Sequence, residues 1–316
     1  MRAPSWVGRS GRKVSSLAGA DPGQDLTSVA YVRELLRRNG LAPLNRLGQH
    51  FLVNRRVLEE IVTSVDPAPA DVILEIGPGL GTVTRALAPA VRRLVAVEVD
   101  RGLVGLLGST LAGLINVRVV AGDATRMDLG ELLTREGEGV AKAVSNLPYY
   151  LTSPLLFQLM AVERVRKLVL MVQEEVAGRL IAAPATKEYG ALTVAVNAVC
   201  QVRVAAPVSR HAFYPVPGVD SSLVVLARRD SGGPSAVGPA LSAVTRAAFG
   251  YRRKTLTRAL AGAHLPGMDR TLAYEVLARA GIDGQRRGET LSVEEFMALA
   301  RAAQGLLGRD WPQQPV

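Results

Sequence analysis

The run Val72-Ile73-Leu74-Glu75-Ile76 stops at Gly77-Pro78-Gly79-Leu80-Gly81, and a helical pattern follows from Thr82 to Leu87. A short apolar run that ends at glycines reads as a strand covered on both faces, which is the environment of a parallel sheet. The motif then recurs. Arg93 to Val99, Val117 to Ala121, Ala143 to Ser145, Lys167 to Val172, Val194 to Val204 and Leu223 to Ala227 read as further strands. Pro154 to Met160 and Glu174 to Ile181 read as helices between them. This alternation predicts an α/β fold: a doubly wound, mostly parallel, Rossmann-like sheet of seven strands with helices on both faces. Ligands of such sheets bind beyond the carboxyl ends of the strands.

The flanks have different character. Residues 1–26 mix Arg, Ser, Gly and Pro, and are expected to be a disordered extension. An organelle transit peptide, an RNA-touching tail and an over-long start all remain open for it. Asp25 or Thr27 is placed to cap a helix through Val29, Val32, Leu35 and Leu36 that ends at Asn39-Gly40. The sheet domain spans 27–229, and the Ser-, Gly- and Pro-rich stretch 230–239 reads as a linker. In 240–303 apolar residues recur at helical spacing, and Ser292 with Glu295 forms a capping box. That part is expected to be a small α-helical domain, followed by a loose tail over 304–316 that contains Trp311-Pro312.

Apolar residues make up 48% of the 316, enough for a well-filled core. No apolar run reaches the ~18 residues that span a bilayer, and the N-terminus lacks the apolar segment of a signal peptide. The single cysteine, Cys200, lies in an apolar run and fits a reducing compartment, so a cytoplasmic location is expected. His211 and His264 have no metal-ligand spacing with each other or with Cys200, and no metal is expected. The net charge of +10 points to a polyanionic partner. Arg252, Arg253, Lys254 and Arg258 cluster at what reads as the first helix of the small domain. Arg33, Arg37, Arg38, Arg46, Arg55 and Arg56 crowd the region before the sheet. Charge runs are usually solvated faces. Two of them flanking a pocket favour contacts to phosphates, which position a nucleic acid without reading its sequence.

The glycine spacing selects among cofactors. A dinucleotide fingerprint counted from Gly77 needs a glycine at position 82, where Thr82 stands, so a nicotinamide oxidoreductase is disfavoured. No Walker lysine follows, so the loop does not look built for a triphosphate. Glu98 ends the second strand and can accept from both hydroxyls of a ribose. Asp123, in Ala121-Gly122-Asp123-Ala124, ends the third and can accept from an adenine amino group. Each acid alone is more often a helix cap; both at successive strand ends favour a nucleoside.

Asn146-Leu147-Pro148-Tyr149 follows the fourth strand on the same rim. The bland reading of Asn-x-Pro is a turn. The chemical reading starts from an aromatic amine, a poor nucleophile because its lone pair is delocalised. Carbonyls from Asn146 and near Leu147 could each accept one N–H and aim the lone pair, with no strong general base required. Tyr149 would stack on the base, a contact worth ~1–3 kcal/mol, after the base has been turned out of its stack. Phe213, in Phe213-Tyr214-Pro215-Val216-Pro217, could close the other face, or be a core aromatic under a loop.

These motifs, with Leu47-Gly48-Gln49-His50-Phe51-Leu52 and Phe249-Gly250-Tyr251-Arg252-Arg253-Lys254-Thr255-Leu256, resemble the ribosomal RNA adenine N6-dimethyltransferase family and its small-subunit branch, over roughly residues 27–303. The resemblance implies a class I methyltransferase fold and S-adenosylmethionine as methyl donor. It implies cofactor contacts from Gln49, His50, Leu52, Glu75, Gly77, Gly79, Gly81, Glu98, Asp123, Ala124 and Asn146. It gives Asn146, Leu147, Pro148, Tyr149 and Phe213 to the target adenine, and Arg252, Arg253, Lys254 and Arg258 to RNA. The implied substrate is a pair of adjacent adenosines in the 3′-terminal hairpin loop of 16S rRNA, modified late in small-subunit assembly by a monomeric enzyme. Position 50 is often Asn in that family; His50 keeps both a donor and an acceptor. A resistance enzyme acting on large-subunit rRNA and a non-catalytic nucleic-acid-binding factor of the same fold are the alternatives.

Overall fold

A computed structural model of the chain describes residues 25–137, 139–146, 152–230, 238–251 and 253–312. Most of the expected extension and linker, Leu147, Pro148, Tyr149, Arg252 and residues 313–316 lie outside the described residues.

The described residues open with α1 (Val29–Arg38) and a two-residue strand β1 (Phe51–Leu52). Then follow α2 (Arg55–Val65), β2 (Val72–Ile76), α3 (Thr82–Leu87), β3 (Arg93–Glu98), α4 (Arg101–Thr110), β4 (Val117–Ala121), α5 (Leu129–Thr134), β5 (Ala141–Asn146), α6 (Thr152–Ala161) and β6 (Val165–Gln173). The sheet part ends with α7 (Glu174–Leu180), α8 (Ala191–Asn197), β7 (Cys200–Val208), β8 (Phe213–Tyr214) and β9 (Ser221–Arg228). Among the described residues, α9 (Gly238–Gly250), α10 (Leu256–Gly262), α11 (Arg270–Ala280) and α12 (Val293–Leu307) follow.

Seven strands form one sheet, as expected, and their order is β4-β3-β2-β5-β6-β9-β7. The first five are parallel, and β9 runs antiparallel to both β6 and β7. Strand alternation sorts the two faces. Ile73, Leu94, Ala96, Val144 and Val169 pack with Leu58, Ile61 and Val62 of α2. Val72, Leu74, Val95, Val97 and Ala143 pack with Leu132 and Leu133 of α5 and Leu155, Leu156 and Leu159 of α6. The chain leaves β2 toward β3 on one side and returns to β5 on the other, so the crevice of the topological switch point opens between β2 and β5.

Three local expectations need correction. The cap of α1 is Ser28, whose Oγ accepts from the Tyr31 N–H at 3.4 Å. Asp25 instead accepts from the backbone and hydroxyl of Thr27, building the turn that precedes the helix. Residues 194–197, expected in a strand, belong to α8, and β7 starts only at Cys200. The β-branched run misleads because α8 is apolar on two sides. Leu192 and Val196 face the sheet core, whereas Val194 joins the core of the C-terminal helices, and packing overrides propensity. The end of the chain is anchored as far as Trp311, which is 4% exposed and donates its indole N–H to the Pro266 carbonyl at 2.7 Å.

The C-terminal helices share their core with the sheet part. Tyr189 is buried among them, its hydroxyl donates to the Leu291 carbonyl at 2.7 Å, and its ring meets Phe249 edge-on, which in turn stacks on Phe296. The expected capping box of α12 is present, with Ser292 and Glu295 each satisfying the other's backbone N–H.

Candidate active site

The register of the sheet sets the site. Ile76 pairs with Val97 of β3 and with Ser145 of β5, so Gly77, Glu98 and Asn146 come next in one row across the rim. Asp123 lies two residues past Ala121, the partner of Glu98. Side chains far apart in sequence thus face one crevice because parallel strands end together.

The loop after β2 turns back over this row. Gly77 sits at φ +70°, and a Cβ there would meet no atom within 4 Å, so its backbone borders open space. Gly81 sits at φ +87° and is packed: a Cβ would lie 2.8 Å from Leu111 Cδ2. A side chain would be strained at either glycine, but only Gly77 faces the crevice.

A ribbon roofs the crevice. β1 pairs antiparallel with β8, Phe51 opposite Tyr214 and Leu52 opposite Phe213. This brings the segment before β1 against the 213–220 loop. Helix α1 packs over the roof through Val32 and Leu36, against Phe51, Leu80, Leu103 and Leu106. The His50 ring completes the join: Nδ1 lies 2.7 Å from the Pro215 carbonyl oxygen. That oxygen can only accept, so Nδ1 carries the proton.

Two connected pockets result, and they share His50, Phe51, Gly77, Gly79 and Asn146. The outer one is lined by Gln49, Glu98, Asp123 and Ala124, together with Val99, Leu103 and Thr125. The inner one is lined by Leu52, Glu75, Ser145 and Phe213. Among the expected cofactor residues, Gly81 lines neither pocket; it forms the turn that starts α3.

Hydrogen bonds fix the polar groups. Asn146 Nδ2 donates to the His50 carbonyl at 2.9 Å, which commits the amide's donor end. Glu98 accepts from the Gly79 N–H at 3.2 Å and the Asp100 N–H at 2.9 Å, one on each oxygen. Burial pushes its carboxyl above the usual range against those bonds. Asp123 Oδ1 takes the backbone and hydroxyl of Thr125 at 2.9 and 2.7 Å. Glu75 is 3% exposed and accepts from the Thr84 hydroxyl at 2.7 Å; burial pushes its carboxyl up to about 7.

Some expected roles land differently. Phe213 is 3% exposed, within the core that holds Leu52, Met171 and Leu223, so it walls the inner pocket from inside. Its neighbour Tyr214 is half-buried against the cluster under α1, with the Arg33 guanidinium 4.9 Å from its ring centroid. Gln49 lines the outer pocket, but its amide is bonded to protein: Oε1 to the Leu44 N–H and Nε2 to Asp100. Arg253 and Lys254 lie in the turn after α9, and Arg258 on α10, so this exposed cluster straddles two helices and not the first one alone. Arg37 and Arg38 pair with Glu34, and Arg55 with Glu59. Asp100 and Phe51 were missed as site residues. Asp100 carried a signal, an Asp directly before a helical pattern; Phe51 carried none beyond its motif.

Among the described residues no group of three or more His, Cys, Asp or Glu could hold a metal ion, and no helix is long and apolar enough to cross a membrane.

Comparison with known proteins identifies the family. Residues 44–299 match the family model for ribosomal RNA adenine dimethylase. A protein of Pelotomaculum thermopropionicum named ribosomal RNA small subunit methyltransferase A is 46% identical, over 87% of this chain and 96% of that protein. A protein of the same name from Moorella thermoacetica is 42% identical, over 90% of this chain and 98% of the relative. Among solved structures, a dimethyladenosine transferase from Plasmodium falciparum superposes with a TM-score of 0.72 at 25% identity, covering 81% of this chain and 98% of that one. The fold is also that of the 23S rRNA methyltransferase ErmE, with a TM-score of 0.61 at 24% identity, over 80% of this chain and 98% of the other. The chain therefore belongs to the ribosomal RNA adenine dimethylase family.

Proposed function

We propose that the chain uses S-adenosylmethionine to dimethylate the N6 amines of two adjacent adenosines in the 3′-terminal hairpin loop of small-subunit rRNA, late in subunit assembly in the cytoplasm. The small-subunit assignment is supported by the relatives named above, which match nearly end to end.

The residues at the crevice fit the cofactor by chemistry. Open space beside the Gly77 backbone suits close approach of a ligand. Glu98 would take the ribose hydroxyls and Asp123 the adenine amino group. His50, Leu52 and Glu75 would border the amino-acid end beside Gly77. When bound, S-adenosylmethionine supplies a methyl group on a positively charged sulfur.

The observation that carries the reading is the orientation of Asn146. With Nδ2 held by the His50 carbonyl, Oδ1 is the amide's remaining polar atom, and Asn146 lines both pockets. Oδ1 can then accept one N–H of an adenine amine and turn its lone pair toward the cofactor pocket. Catalysis of this kind is orientation and electrostatics, supplied by a fixed dipole. Tyr149 would stack on the flipped base, and Phe213 would wall the inner pocket behind it. Arg252, Arg253, Lys254 and Arg258 would hold RNA phosphates.

The test is incubation with labelled S-adenosylmethionine and unmethylated small subunits, with large subunits in parallel, followed by assay for N6,N6-dimethyladenosine. Label in the 3′-terminal hairpin of the small subunit is expected. Label confined to the large subunit would refute the substrate, and label in neither would refute the proposed reaction.

A further inference from the structure

Residues 49 and 50 do opposite jobs in consecutive positions. The Gln49 amide closes the turn that precedes it, with Oε1 accepting from the Leu44 N–H at 2.8 Å. Its Nε2 donates to Asp100 Oδ2 at 2.7 Å, across 51 residues of sequence. Asp100 divides its contacts. Oδ1 caps α4, taking the N–H groups of Gly102 and Leu103 at 2.9 and 3.4 Å, while Oδ2 takes Gln49. The Asp100 N–H donates to Glu98 Oε1 at 2.9 Å, and Glu98 Oε2 accepts from Gly79. One residue beyond Gln49, the His50 carbonyl accepts from Asn146 Nδ2 at 2.9 Å.

A continuous set of contacts thus runs from the cofactor side of the crevice to the amine side, made of hydrogen bonds and the one peptide link between residues 49 and 50. We infer that Gln49 is a positioning residue: its bridge to Asp100 holds the His50 carbonyl where it orients the Asn146 amide, and so couples the Glu98 end of the site to the transfer step. The inference rests on the proposed role of Asn146. Packing supports the same anchorage. Leu41 lies so close to the start of α4 that a Cβ on Gly102 would fall 2.6 Å from Leu41 Cδ2. The segment is therefore fixed to this helix end by an apolar contact and by the Gln49 bridge, and the bridge is the part next to His50.

Glutamine suits the position because one side chain must accept from Leu44 and donate to a carboxylate. A glutamate cannot donate at neutral pH and would face Asp100 as a like charge. The polarity can be reversed by combining Gln49→Glu with Asp100→Asn. The carboxylate introduced at position 49 then accepts from both the Leu44 N–H and the amide introduced at position 100, whose carbonyl can still cap α4.

The experiment compares the wild-type chain, Gln49→Glu, and the Gln49→Glu/Asp100→Asn double variant. The single-turnover methyl-transfer rate on small subunits is measured at saturating S-adenosylmethionine, and backbone hydrogen exchange over residues 44–50 is measured in the cofactor-free chain. Gln49→Glu is expected to lower the saturated rate by roughly tenfold or more, as for loss of a hydrogen bond to a charged group, and to speed exchange over 44–50. The double variant should recover most of both. A saturated rate and exchange pattern like wild type in Gln49→Glu, or a double variant no better than the single, would overturn the inference. Absence of transfer by the wild-type chain would sink only the proposed function, since recovery of exchange protection by the double variant still decides whether the bridge exists.

Discussion

Glu75 makes a pH-dependent prediction whose size follows from its surroundings. It lies in β2, an interior strand of the sheet, 3% exposed, with the Thr84 hydroxyl as its hydrogen-bond partner. Burial is the main cause that lifts its carboxyl from the usual 4.5 to about 7; the Thr84 bond acts against it and the nearby Glu98 charge adds to it. A carboxyl with a raised folded-state pKa keeps its proton longer in the folded chain than in the unfolded one. Its contribution to stability is therefore complete below about 4.5 and is lost as the pH rises through about 7. At ~1.36 kcal/mol per unit, the rise from 4.5 to about 7 corresponds to roughly 3 kcal/mol. Glu75→Gln keeps an acceptor for Thr84 and cannot ionise. Urea unfolding of the cofactor-free protein at pH 5 and pH 8 should then show wild type losing stability, relative to the variant, by an amount on the order of 3 kcal/mol. The comparison cancels the other titrating groups, including Glu98, which shifts the same way, and Glu136 and Glu295, whose lowered values shift stability the other way. Equal pH dependence in the two proteins would refute the account of Glu75 as a carboxyl held neutral by burial.

The remaining expectations concern the rim and the packing beneath it. Asn146→Ala should lower single-turnover transfer by roughly 100-fold, the scale for losing one oriented dipole, while S-adenosylmethionine affinity measured calorimetrically stays within a few-fold; a near-normal rate would remove Asn146 from the transfer step. Glu98→Ala should act the other way, weakening cofactor binding first by about tenfold or more, and unchanged affinity would discard the ribose assignment. Gly81→Ala should destabilise the fold by at least ~1–2 kcal/mol for the left-handed backbone alone, with the Leu111 contact at 2.8 Å adding to it; a melting temperature equal to wild type would show that the turn relaxes freely. Replacing Arg253, Lys254 and Arg258 together by Ala should weaken RNA binding and reduce the slope of log affinity against log salt by about 2–3. An unchanged slope would place the RNA phosphates elsewhere.

Much of this protein is written locally. The apolar run to Ile76 and the glycines after it specify a buried strand and a tight turn, because glycine, lacking a Cβ, adopts φ +70° and +87° without steric penalty. The same alternation, repeated, leaves little but a doubly wound sheet, and strand ends then predict where Glu98, Asp123 and Asn146 come together. The capping box of α12 is equally local, a matter of two side chains three residues apart. Other features depend on partners that are distant in sequence. Whether 194–197 is strand or helix was decided by two cores meeting on either side of α8. Phe213 could have stood at the pocket mouth; pairing of β8 with β1 put it inside, and left Tyr214 half-buried under α1 beside Arg33. The direction of the Asn146 amide is set by a carbonyl 96 residues away, and that of Gln49 by a carboxylate 51 residues away. Turns, caps and strand periodicity follow from the chain's immediate neighbours, whereas the donor or acceptor sense of a site residue follows from which buried group lies opposite, and only the packed tertiary structure brings that group there.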